Sequence, residues 1–176
     1  MVKIDKIEAA SRLLNTAISL LFADGERIAI HTLTAAASNI FSDVLDKEKG
    51  TQSWREKLRI DHGLSEAEIR NVMHSEGNFF KHANRDPDEV LEFDEKKCEY
   101  MIFFAILECG ELHCISIEMQ IFQLWFLARG ILDLGPNDKL QQTAKSIFPD
   151  LEGLSLSEQL RMGEIMLTKE IDGSYE

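Results

Sequence analysis

The sequence predicts an all-α protein, a single helical bundle of about six to eight helices, and three observations carry that expectation. Apolar residues recur at helical spacing through most of the 176 residues, and only three prolines interrupt them. Two Ser-x-x-Glu boxes, Ser65 with Glu68 and Ser155 with Glu158, mark helix starts, the serine oxygen taking one free amide and the glutamate another. No alternating stretch of strand length interrupts the pattern, and no internal repeat or low-complexity segment is visible. Residues 1–171 are expected to form one domain, followed by a polar tail at 172–176.

From Lys3 to Phe22, Ile4, Ile7, Ala10, Leu14, Ala17, Ile18 and Leu21 keep one face apolar, and Ala23-Asp24-Gly25 ends it. A second helix runs from about Glu26 to Leu45. Its Ala35-Ala36-Ala37 run lets another helix come close, and His31, Thr34 and Ser38 form a polar stripe at i, i+3, i+7. A short amphipathic piece around Trp54, Leu58 and Ile60 follows, ending at the turn Asp61-His62-Gly63. The helix capped by Ser65 buries Ile69, Val72, Met73, Phe79, Phe80 and Ala83 and should stop near Asn84 or Arg85, because Pro87 pushes Asp86 out of the α region.

Asp94 is placed to cap the next helix, whose Tyr100-to-Leu107 run is apolar on every side and so belongs in the middle of the bundle. A second apolar helix spans about Ser116 to Leu132. A short one lies between Gly135-Pro136-Asn137 and Pro149, and the last starts at Ser155. Cys98, Cys109 and Cys114 read as small core residues rather than a disulfide framework.

Composition narrows the function classes. The chain is 44% hydrophobic and 28% charged, as ordinary globular domains are. Its longest apolar run falls well short of the roughly 20 residues that span a bilayer, so no membrane span is expected. The first twenty residues lack the apolar centre of a secretory signal, which points to the cytoplasm. Net charge is −12, concentrated in residues 86–118 with ten acids and two bases. A broad nucleic-acid-binding surface, which runs on clustered Lys and Arg, is not expected on such a chain.

The residues with chemical potential gather on the helix capped by Ser65. His74, Asn78 and His82 recur at i, i+4, i+8, with Lys81 and Arg85 beside them, a strip suited to a phosphate or a partner, or to solvent. Glu76 projects from the apolar arc, where a carboxylate must be paired, hydrogen-bonded or at a subunit contact, and Arg12 and Arg27 are the candidate partners. His31 is a candidate ligand or base, more readily a hydrogen-bonded helix histidine. No cofactor or metal is expected: no histidine has the Glu-x-x-His spacing of a di-iron bundle, and Cys109-x4-Cys114 lacks a second pair for zinc. Gly-rich phosphate loops and Gly-x-Ser-x-Gly elbows are also missing. The acidic run Asp86–Glu95 lacks the spacing of a calcium loop and reads as a connector.

The Ala-rich helix from His31 to Phe41 together with Asn78-Phe-Phe-Lys-His82 resembles the HEPN superfamily of helical bundles, over roughly residues 5–130. Many of its members carry Arg-Asn-x-x-x-His and cleave RNA as dimers. The resemblance puts Asn78 and His82 at the polar and histidine positions and Gly77 where the arginine belongs. It therefore implies a degenerate, non-catalytic member working as a homodimer or with a regulatory protein partner. The stretch Asn78–Asp88 is also similar to a group of uncharacterised bacterial proteins. Two other readings stand beside it. One is a metal-independent ribonuclease or phosphate-ester enzyme with His82 as general base and Asn78, Lys81 and Arg85 on the phosphate. The other is a small-molecule binder with a pocket between the helices bearing His31 and Glu76.

Overall fold

The structure, a computed structural model, describes residues 2–48, 52–82, 87–135 and 137–173, and only the backbone at 70 and 72–74. Among these residues all regular structure is helical. Helix α1 (Lys6–Phe22) and α2 (Arg27–Leu45) form a hairpin, capped by Asp5 and Glu26. Helices α3 (Trp54–Asp61) and α4 (Glu66–Phe79) follow, then α5 (Lys97–Glu111) and α6 (Ile117–Ala128). Helix α7 (Lys139–Ile147), a 3-10 turn at Leu151–Gly153 and α8 (Leu156–Asp172) complete the chain.

Both predicted capping boxes are present, at Ser65/Glu68 and Ser155/Glu158. Three boundaries differ from the sequence expectation. Helix α5 begins after Lys96 rather than at Asp94, whose side chain instead takes the Lys96 amide in a local turn. Helix α6 stops at Ala128, because Gly130 turns left-handed (φ 68°) where its Cβ-free backbone lies against the Glu152 carboxylate. Helix α4 stops at Phe79, short of Asn84, so the expected five turns become four.

The core lies where α1, α2, α5 and α6 meet, around Leu14, Ile18, Phe22, Phe41, Ile106, Phe122, Trp125 and Phe126. As expected, α5 and α6 supply much of it, although Tyr100 on α5 is 45% exposed. Helix α8 is bound to this core at two points. Trp125 Nε1 donates to the Gln159 carbonyl at 2.7 Å, and the Phe22 ring lies where a Cβ on Gly163 would stand. Helices α2 and α5 run parallel: Cys98 Sγ donates to the Arg27 carbonyl at one end, and Glu108 reaches Ser38 and Ser42 at the other. Helix α2 is long and apolar enough to cross a bilayer by length and composition, but its apolar side is packed in the core.

The cysteine expectation is corrected. Cys109 and Cys114 are joined in a disulfide that ties the last turn of α5 to the segment leading into α6; Cys98 alone is free, and buried. A separation of five residues is enough because α5 ends between them, with His113 in the left-handed region (φ 56°) turning the chain back. Burial pushes the Cys98 thiol up to about 11, so it packs as a small apolar side chain.

Candidate functional site

The polar stripe of α2 organises the candidate site. A helix face carrying His31, Thr34, Ser38 and, one turn on, Ser42 would be an ordinary solvated stripe if it faced water. Here His31, Thr34 and Ser42 are buried, so each polar group needs a partner within the protein. Thr34 satisfies its own hydroxyl on the Ile30 carbonyl at 2.8 Å. The others meet an acid from another helix.

At the start of α2, Glu76 comes in from α4. Its Oε1 accepts from Lys97 Nζ at 2.5 Å, and its Oε2 lies 3.3 Å from His31 Nε2. The expectation that Glu76 must be paired is met, but by Lys97 and His31. Arg12 and Arg27 are held elsewhere, by Glu8 and Asp24. Helix α4 meets α2 at two small residues: a Cβ on Gly77 would stand 3.8 Å from the Ala35 Cβ and 3.9 Å from His31 Cε1, so that a longer side chain there would point into the contact. Phe80 and Phe93 close over the imidazole edge-on, at centroid distances of 5.4 and 5.5 Å, and touch each other at 5.2 Å.

His31 is only 1% exposed, and neither ring nitrogen has an aligned hydrogen bond among the described residues. The 3.3 Å contact to Glu76 is therefore a close approach and not an aligned hydrogen bond. Burial lowers the His31 pKa below its ordinary value, with Lys81 and Lys97 pushing the same way and Glu76 pulling against them. The imidazole is consequently neutral at pH 7.

Towards the end of α2, Glu108 comes in from α5 and is 2% exposed. Ser42 Oγ donates to its Oε1 at 2.5 Å and Ser38 Oγ to its Oε2 at 3.0 Å. No cation touches it among the described residues. Burial pushes this carboxyl up to about 7, against the opposing pull of the two hydroxyls and, more weakly, of Arg55. Arg55 itself is held by Asp46 Oδ2 at 2.7 Å and Asp43 Oδ1 at 3.1 Å, on the wall of a polar cleft of about 520 Å³ between α2, α3 and α4.

The predicted strip on α4 is only partly reached. Asn78, Lys81 and His82 are exposed, and His82 lies beyond the end of the helix, its amide bonded to the Asn78 carbonyl at 3.0 Å. The His74 side chain and Arg85 lie outside the described residues. The structure thus brings His31 and Glu76 together and leaves Asn78, Lys81 and His82 in solvent. Sequence reasoning missed Lys97, Phe93, Ser42 and Glu108. The signal for Glu108 was present: it is an acid inside an otherwise apolar helix, the same oddity that singled out Glu76. Ser42 continues the His31 stripe by one turn. Lys97 carried no local signal, because it reaches Glu76 only through the fold. Compared with protein-family models, with curated proteins and with solved structures, the chain matches none.

Proposed function

We propose that this chain is a HEPN-like helical module without nuclease activity, acting by protein association as a homodimer or with a regulatory partner. The observation that supports this reading is the setting of Gly77. The position at which the resemblance calls for an arginine lies in the contact between α4 and α2, against Ala35 and His31. A guanidinium there would be directed into a packed helix contact rather than towards a phosphate in solvent. Without that cation, Asn78 and His82 lack the charge that would stabilise a phosphate transition state.

Sedimentation equilibrium of the purified chain, alone and with proteins that co-purify with it, together with an RNA-cleavage assay, tests this. A stoichiometric dimer or complex with no cleavage is the expected result. Cleavage abolished by His82→Ala would overturn it in favour of the metal-independent ribonuclease, and a strictly monomeric chain that retains no protein would remove its basis. A second reading, a small-molecule site at His31 and Glu76, is favoured by the ring nitrogens of His31, which have no hydrogen-bond partner among the described residues. A ligand retained by the native chain and lost from His31→Phe would support it.

A further inference from the structure

Glu108 is not needed by the reading above, and its surroundings are unusual for a carboxylate. The side chain is nearly sealed from solvent, holds two serine hydroxyls on α2, and has Arg55 as the cation acting on it, at a distance beyond direct contact. Arg55 is already occupied: Asp46 and Asp43, both from the C-terminal end of α2, hold it and thereby hold α3. The Asp46 carboxylate also takes the Ser53 amide at the N-cap of α3, at 3.1 Å. Helix α3 is a short helix of eight residues with no fully buried residue; besides these polar contacts, Trp54 packs against Phe104 of α5 and Lys57 pairs with Glu111.

We propose that Glu108 with Ser38 and Ser42 is a proton-dependent clasp: the neutral carboxyl leaves Arg55 to Asp43 and Asp46, and its ionisation draws Arg55 away from them and loosens α3. In the step itself the carboxyl O–H bond breaks and the proton passes to solvent water or a buffer base. The anion left behind is buried beside hydroxyl dipoles alone, and an unpaired buried charge is costly enough to recruit the nearest cation. The neighbouring elements leave Arg55 as that cation. On α2 the nearby ionisable groups are the acids Asp43 and Asp46, which repel it, and on α3 Lys57 is spent on Glu111 and stacks on Trp54. On α1, Glu8 and Arg12 pair with each other, and Lys6 lies in the exposed first turn. On α6, Glu118 is an acid, and Arg129 beyond its end binds Glu99 at the opposite end of α5.

The burial-raised value of about 7 puts the change in the neutral range. The sign follows from the shift. A carboxyl raised above its unfolded value binds its proton more tightly when folded. Its favourable contribution is complete below the unfolded value and is lost as pH rises through the folded one.

Hydrogen exchange of the α3 amides, expressed as protection factors at pH 6 and pH 8, tests the clasp in the full chain. Protection of residues 54–61 is expected to fall by about tenfold between the two in the native sequence and to stay constant in Glu108→Gln, whose amide keeps the shape without the charge. An equal fall in both, or no fall in either, would overturn it. Where Glu108→Gln does not fold, the carboxyl carbon resonance of Glu108 in the native chain decides. Titration near 7 together with a shift of the Arg55 side-chain resonances supports the clasp. Titration in the ordinary carboxylate range, or with Arg55 unmoved, contradicts it.

Discussion

Glu76 and Glu108 are both buried carboxylates that reach α2 from another helix, Glu76 near its start and Glu108 towards its end, yet only Glu76 touches a cation. Lys97 keeps half its own side chain in water while its ammonium meets Glu76, which gives the buried carboxylate a partner at modest desolvation cost. The histidine beside it stays neutral. At the other end two serine hydroxyls stand where a cation would, and their pull towards the anion does not offset burial, which raises the carboxyl to about 7. The contrast is one of partners: Glu76 has a cation at one oxygen, and Glu108 has only hydroxyls among the described residues, so burial dominates its shift.

The two ends should therefore break differently. The severest disruption is Gly77→Arg, which places an arginine where the proposed HEPN resemblance calls for one. Its side chain would be forced between α4 and α2 against Ala35 and His31. Overpacking and charge burial together should cost about 3 kcal/mol, read as a drop in the urea midpoint, with no RNA cleavage gained. A fully stable variant that cleaves RNA would show that the contact is loose enough to hold a catalytic arginine.

Ser42→Ala probes the other end more gently. Removing a donor to an anion costs more than removing one to a neutral carboxyl. The loss in unfolding free energy should be about 2 kcal/mol at pH 8 and about 1 kcal/mol at pH 5. Equal losses at both would mean that Glu108 does not change charge between them.

The smallest effect is expected from His31→Phe, which keeps a ring between Phe80 and Phe93. Stability at pH 7 should change by less than about 1.5 kcal/mol. The pH dependence should change more clearly. A histidine whose pKa is lowered on folding contributes stability that is present above 6.5 and lost as pH falls through its folded value. The variant should lack that acid-side loss, and a variant that keeps it unchanged would remove His31 as its source.

The helices were largely legible in the sequence because caps and apolar periodicity are local. Ser65/Glu68, Ser155/Glu158 and the break at Ala23-Asp24-Gly25 each specify a boundary from a few adjacent residues. Where a boundary depended on distant contacts the reading slipped. Helix α4 was carried on by the apolar residues Phe79, Phe80 and Ala83, but Phe80 turns at the helix end to close over His31 together with Phe93. The need for Glu76 to be paired could be read from its place on an apolar face. The identity of its partner could not, because Lys97 lies 21 positions away across a connector. The disulfide was missed for a related reason. Both cysteines looked helical, and only the end of α5 between them brings the sulfurs together.

The difference between the two ends of α2 is tested most directly by unfolding the native chain and Glu108→Gln in urea at half-unit steps from pH 5 to pH 8. The account expects the variant to gain on the native chain as pH rises, by about 2 kcal/mol over that range, with the gain levelling off above the folded value of about 7. A stability difference that does not vary with pH would contradict it, and would mean that Glu108 carries the same charge folded as unfolded.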